Sequence, residues 1–208
     1  GAADHNHLSC LMNQGCLLGG SRPKLTLVLK TGQLALAKPP CPSDTYHVPC
    51  AEVTALQLAR IAGIASPGAS IMSINNVLVA LIARVDRTPD RKRLPYLSAA
   101  SLLQAHGETR SYTDLLGAMA HFCGNFTDDA RQLWRRLVFY ALITHMDDHL
   151  RGIGFLHTPA TGWRLAPAFG LTPVPRRNYR SFTPLTIESG PITSVGMLME
   201  SAQIGRAH

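Results

Sequence analysis

Polar and apolar positions alternate with a period of two from residue 24 onward. Leu25, Leu27 and Leu29 are interleaved with Lys24, Thr26, Val28 and Lys30. Thr31-Gly32 breaks the run, and Leu34 and Leu36 resume it as far as Lys38. Alternation interrupted by a glycine turn predicts a β-hairpin. Pro39 to Pro49 reads as a loop rich in proline, cysteine and serine. Glu52 then opens EVTALQLARIAG, whose apolar residues recur at helical spacing until Gly63 stops them. Ile71–Ile74 and Val77–Ile82 flank Asn75-Asn76 and predict a second hairpin. Beyond residue 83 the helical period dominates. Ser98 can cap a short helix ending near Gly107, and Ser111 with Asp114 has capping-box spacing. Thr127, followed by Asp128 and Asp129, predicts a long helix through RQLWRRLVFYALIT that runs into His145-Met-Asp-Asp-His149. Ile153–Leu156 and Trp163–Leu165 read as strands, and the proline-rich stretch from Pro167, with Arg176, Arg177 and Arg180, reads as loop. The pattern as a whole predicts an α+β chain with a β-rich lobe over 1–83 and a helical lobe over 84–208.

Composition narrows the class. The 208 residues suffice for one large domain or two small lobes with a real core. Hydrophobic residues at 46% and charged residues at 16% exclude a wholly disordered chain. No uncharged apolar run reaches the ~18 residues of a membrane span. The net charge of +7 gives a surface that attracts phosphate, nucleic acid or an acidic protein, though ordinary basic proteins share that balance. Five cysteines, with no C-x-x-C pair, argue against a disulfide framework or a closed zinc site and suit a reducing cytoplasm. The first ten residues lack the basic-then-apolar shape of a signal peptide. They also lack an initiator Met, so a fragment is one expectation. Asn125-Phe126-Thr127 spells a glycosylation acceptor and is read as chance.

Three constellations could carry chemistry. Gly19-Gly20-Ser21-Arg22-Pro23-Lys24 precedes the first strand. Glycines let backbone N–H groups approach phosphates, and the lysine adds a cation. A plain Gly-Gly turn is the competing reading, and the Walker A spacing is absent. Lys38 closes a strand and Glu52 opens a helix, the arrangement by which two-lobed kinases hold a cation against nucleotide phosphates. Each alone is usually a solvated charge. His145 and His149, four apart, would share a helix face as in H-E-x-x-H zinc sites, but Met146 stands where the catalytic glutamate would be. A metal-dependent hydrolase is therefore the weakest reading, and a plain helix end competes with it. Adjacent carboxylates Asp147 and Asp148 at a helix C-terminus would oppose the dipole, which favours a functional role.

Taken in order, these segments resemble the HipA-like kinases, the serine/threonine kinase toxins of bacterial type II toxin–antitoxin systems. GGSRPK looks like the family's phosphate loop, so Gly19, Gly20 and Lys24 are implied in nucleotide binding. ALAK resembles the strand bearing the nucleotide lysine, here Lys38, and Glu52 matches the helix glutamate. Arg84-Val85-Asp86-Arg87 resembles the hinge R-F-D-R, which implies main chain at Ala83 and Val85 facing adenine and Asp86 near the ribose. LPYLSA and SYTDLL look like family helix starts. MDDHLRGIGFL followed by WRLAPAFGL is similar to the catalytic loop D-D-H-x-R-N-x-G-F-L and the segment W-R-L-x-P-x-Y-D-L. The resemblance implies that Asp147 is the catalytic aspartate and His149 the histidine beneath it. It also implies a two-lobed protein-kinase-like fold, ATP and Mg²⁺ as cofactors, a protein serine or threonine as substrate and an antitoxin as partner.

The sequence departs from that pattern at the metal. The magnesium-binding Asn corresponds to Gly152 and the second ligand Asp to Gly170, with Phe169 for the preceding tyrosine. The phosphate-loop serine that the family modifies falls on Leu17, beside Cys16. Glycine offers no side-chain oxygen to an ion that demands octahedral oxygen ligands. The family's amino-terminal subdomain and its final helices are also without counterparts, which fits a fragment, a decayed copy or one part of a split system. The leading expectation is a degenerate kinase homologue with weak or lost phosphotransfer. An active kinase recruiting Asp148 as a substitute ligand, and a non-catalytic module binding an antitoxin or a polyanion through basic loops, are the alternatives.

Overall fold

The computed structural model describes residues 22–105, 107–175 and 178–204. The first hairpin forms as the alternation predicts, with β1 at Leu25–Val28 and β2 at Leu34–Lys38. The second comprises β3 at Ala69–Ile74 and β4 at Val77–Ala83. Asn75 and Asn76 both take positive φ, 50° and 62°, as a tight two-residue hairpin turn requires. The four strands make one antiparallel sheet in the order β1-β2-β4-β3. Leu25 pairs with Ala37 and Thr26 with Leu36, so Lys24, just ahead of β1, falls on the face that carries Leu36 and Lys38.

Helix α1 spans Val48–Ile61 and begins a turn earlier than the apolar period suggested. His47 caps it, its Nδ1 accepting the Cys50 N–H, and Pro49 sits in the first turn. Proline is tolerated there because that N–H has no partner within the helix. The early start moves Glu52 from the helix mouth into its body.

The remaining chain holds β5 (Tyr96–Ser98), α2 (Ala99–Leu102), α3 (Tyr112–Phe122) and α4 (Phe126–Ile143). A 3-10 turn at Leu150–Gly152 leads into β6 (Gly154–Thr158) and β7 (Gly162–Leu165). β8 (Pro184–Thr186), β9 (Gly190–Pro191) and α5 (Val195–Ile204) complete it. β5-β6-β7 form a second antiparallel sheet and β8-β9 a small ribbon. The Ser111–Asp114 capping box is present, and Ser98 caps α2. Strand β5 leads into the expected helix start at Ser98, and Tyr96–Ser98 completes the sheet edge beside β6. Two expectations are corrected. The stretch after Pro167 contains a ribbon and a helix, not loop alone. Finally, α4 ends at Ile143, where Thr144 turns left-handed (φ 56°), so residues 145–149 lie outside the helix. His145 and His149 therefore share no helix face.

One apolar core joins the two halves. Leu56 and Ala59 of α1 and Ala80 and Ile82 of β4 pack in a cluster with Leu115 and Met119 of α3, Leu133 and Leu137 of α4, and Phe155 of β6. Each fully buried large side chain there contributes about 1.5–3 kcal/mol. Ala37, Ile74, Val79 and Leu81 form a second cluster on the other side of the first sheet. Among the described residues no helix is long and apolar enough to cross a membrane.

Candidate active site

The strand period and the helix register bring Lys38 and Glu52 together. Lys38 Nζ lies 2.5 Å from Glu52 Oε1. The Glu52 side chain is 5% exposed and that of Lys38 17%, so the carboxylate is buried and the ammonium reaches the protein's edge. A buried carboxylate is costly unless paired. Glu52 thus needs Lys38, and Lys38 is held in one place by Glu52.

The segment after α4 gives neighbouring side chains opposite tasks. His145 is buried, with its Nδ1 3.2 Å from both the backbone N and O of Thr172, and its ring meets Tyr140 edge-on. Burial pushes its pKa below the ordinary value. It ties the 145–149 segment to the 170 segment. Among the described residues, no three His, Cys, Asp or Glu side chains gather as a metal site. Asp147 points outward, with 78% of its side chain exposed. Asp148 turns inward: Oδ2 accepts from the Tyr112 hydroxyl at 2.7 Å and Oδ1 from the Phe182 N–H. Burial raises its pKa against the pull of those hydrogen bonds. Each oxygen already accepts a hydrogen bond, so Asp148 as a substitute metal ligand would compete with Tyr112 and Phe182 for its lone pairs.

His149 caps the 3-10 turn, its Nδ1 accepting the Gly152 N–H at 3.0 Å. In the neutral ring the proton then sits on Nε2, which lies 3.5 Å from Asp147 Oδ1. The backbone hydrogen bond selects the tautomer and the ring backs the aspartate.

Lys24, Lys38, Asp147, His149, Gly152 and Gly170, scattered over the sequence, line one cleft of about 650 Å³. Arg151 and Tyr140, not singled out from the sequence, line it as well. Arg151 lies within MDDHLRGIGFL and is legible as a cation beside Gly152, whereas Tyr140 carries no signal apart from its helix. The hinge residues are not in that lining. The Ala83 N–H bonds the Gly68 carbonyl, and Val85 follows β4. The Asp86 carboxylate is held by Arg84, at 2.6 and 2.8 Å, and by Arg87. Burial alone would raise its pKa, but the hydrogen bonds and charges of these arginines hold it below the ordinary value. Arg22 is clamped to Asp44 through two hydrogen bonds of 2.6 and 2.7 Å. Gly19, Gly20, Cys16, Leu17, Arg176 and Arg177 lie outside the described residues.

The model of the HipA-like C-terminal domain matches residues 16–201. The chain belongs to that family. No curated protein sequence matches this HipA-like chain. Among solved structures it is similar to the Helicobacter pylori proinflammatory kinase CtkA, at 19% identity and a TM-score of 0.69, over 87% of this chain and 71% of that one. It is also similar to HipA in the Shewanella oneidensis toxin–antitoxin complex of HipA, HipB and operator DNA. There the identity is 18% and the TM-score 0.61, over 77% of this chain and 44% of that one. The HipA-like chain therefore has the two-lobed, kinase-like α+β fold, and spans less than half the length of the Shewanella protein.

The residues present do not fit the Mg²⁺ that a kinase of this fold implies. Gly152 and Gly170 line the cleft without side-chain oxygens, and the Asp148 carboxylate already accepts hydrogen bonds from Tyr112 and Phe182. Asp147 alone is a poor holder for an ion that needs several oxygens in fixed geometry.

Proposed function

We propose that this chain is a HipA-like serine/threonine kinase homologue that binds ATP weakly and transfers phosphate slowly or not at all. The observation that carries the reading is the cleft itself. Its sheet side holds the Lys38–Glu52 clamp, its loop side holds Asp147 and His149, and glycines stand where metal ligands would be. Lys38, fixed by Glu52, would neutralise nucleotide phosphates, with Lys24 beside it on the same strand face. Asp147 would accept the proton of an acceptor hydroxyl, and His149 would hold that aspartate in line. Phosphoryl transfer depends on positioning and charge neutralisation, and two lysines replace only part of the charge a metal supplies.

ATP titration by calorimetry, with and without Mg²⁺, tests this. The expected result is weak binding that changes little with Mg²⁺ and disappears in Lys38→Met/Glu52→Gln, where no buried carboxylate is left unpaired. Tight binding that requires Mg²⁺, or rapid transfer of labelled phosphate, would overturn it.

A second reading, a binding module for an antitoxin, is favoured by one observation: the similar Shewanella HipA is solved with HipB and operator DNA. Arg84, Arg87 and Arg91 line a separate groove that suits an acidic or nucleic-acid partner. Retention on heparin that falls steeply with salt would support polyanion binding there, and no retention at low salt would remove it.

A further inference from the structure

A second cavity of about 390 Å³ lies on the other side of the 145–149 segment. His149 and Arg151 belong to the walls of both cavities, so the 149–151 segment is the ridge between them. Arg110, Phe182 and Thr183 contribute to the far walls. The rim is tied to the 145–149 segment by hydrogen bonds. The Phe182 N–H bonds Asp148, the Thr183 hydroxyl bonds the Asp148 carbonyl at 2.7 Å, and Asp147 is the next residue. The Phe182 ring stands edge-on to His149 at 6.3 Å between centroids, yet Phe182 is 69% exposed. A large exposed aromatic held in place by its own backbone beside an acid–base pair has no use in packing.

The charge in this cavity is basic. Arg151 is exposed, and Arg110 pairs with Glu108 at 2.6 Å and also acts electrostatically on Asp114. Glu108 is 68% exposed on its side chain, so that ion pair is wet and worth little. Arg110 Nε has no hydrogen-bond partner among the described residues. The local carboxylate on Arg110 displays the chemistry this wall accepts, and an incoming carboxylate could exchange with it at small cost.

We propose that this groove binds an extended protein segment with an acidic residue beside its serine or threonine. The acidic side chain pairs with Arg110 and Arg151, a neighbouring apolar side chain rests on Phe182, and the hydroxyl passes over the His149 ridge to Asp147. The groove rests on the kinase-homologue reading for its role, and the two can fail separately, because Arg110 lines this cavity and not the cleft that holds Lys38.

The test uses the full chain and three fluorescein-labelled peptides with a central Leu-Ser, flanked by Glu, by Gln or by Lys. Anisotropy titrations at low salt should show the Glu peptide binding at least about tenfold tighter than the Gln peptide, the usual size of a charge-assisted contact. Arg110→Gln/Arg151→Gln should erase that difference, and Glu108→Gln should strengthen binding of the Glu peptide. Arg110→Gln alone should leave the ATP titration unchanged while weakening the Glu peptide, and melting curves establish that each variant is folded. Equal binding of the Glu and Gln peptides, no binding of either, or a preference that survives removal of both arginines would overturn the groove. Loss of ATP binding from the wild-type chain, with the peptide preference intact, would overturn the nucleotide reading and leave the groove standing.

Discussion

The two walls of the cleft are built on different terms. On the sheet side, Glu52 is buried and Lys38 satisfies it, so the clamp serves the fold as well as any nucleotide. On the loop side, Gly152 and Gly170 leave open space, although the left-handed backbone at Gly170 (φ +68°) favours glycine. A β-carbon at Gly152 would make only ordinary contact, 3.5 Å from the His149 ring, and one at Gly170 would meet nothing within 4 Å. The same division runs through adjacent residues. Asp148 and His145 are buried and bonded, while Asp147 is exposed and makes a long contact with His149. Side chains at such open positions meet little of the fold, whereas the clamp cannot be dismantled so cheaply. The difference teaches which positions the fold itself constrains and which it leaves to whatever enters the cleft.

The largest break in that comparison comes from refilling the empty wall. Gly152→Asn needs no rearrangement, since its φ is unstrained and its neighbours stand at contact distance. Gly170→Asp has open space but a φ of +68°, which costs about 1 kcal/mol for an ordinary side chain and less for Asp. The double variant is expected to gain Mg²⁺-dependent ATP binding of at least about tenfold, the scale of one charged contact. Calorimetry with and without Mg²⁺ measures it. A folded double variant with unchanged ATP affinity in Mg²⁺ would remove these loops from the metal-facing wall.

A smaller effect separates Asp148 from Asp147. Tyr112→Phe takes one hydrogen bond from a buried carboxylate and is expected to cost about 1–3 kcal/mol of stability. Asp147→Asn, on an exposed side chain, is expected to stay within about 0.5 kcal/mol. Urea denaturation reads both. Similar losses in the two variants would show that the inward and outward aspartates are not divided as described.

What could be read from the sequence divides along the same line. Both hairpins, the capping box and helix α4 rest on local periodicity and turn chemistry, and each formed where those signals lay. The 146–156 segment stood out because a short string of unusual residues resembles the family pattern. The start of α1 was hidden by Pro49, whose two readings, loop and first helical turn, differ only by the His47 cap. β5, β8 and β9 are two or three residues long and owe their existence to a partner strand, which no local period can reveal. Asp147 and Asp148 looked equivalent as letters. Only the distant Tyr112 and Phe182 turn one inward, and only the end of α4 at Thr144 keeps both off a helix C-terminus.

The smallest effect concerns the bolt between the two loop segments. His145 sits between Tyr140 and the Thr172 backbone, with Asp148, Asp147 and Glu52 as the charges that act on it. Burial disfavours its protonated form and outweighs the hydrogen bond and those carboxylates, so its pKa lies below the ordinary 6.5. In the unfolded chain the ring takes up a proton as pH falls through that ordinary value. In the folded chain it does so only at lower pH, so the unfolded state binds more protons across the interval. His145 therefore contributes nothing to pH dependence well above neutrality. It destabilises the fold as pH drops below the unfolded value, with a slope of at most about 1.4 kcal/mol per pH unit. The loss levels off once the folded ring also protonates. Unfolding free energies measured between neutral and mildly acidic pH should show this decline in the wild-type chain and a flatter profile in His145→Gln. Because Gln can still meet the Thr172 backbone, a profile equally steep in both proteins would place the pH sensitivity elsewhere and leave His145 as packing alone.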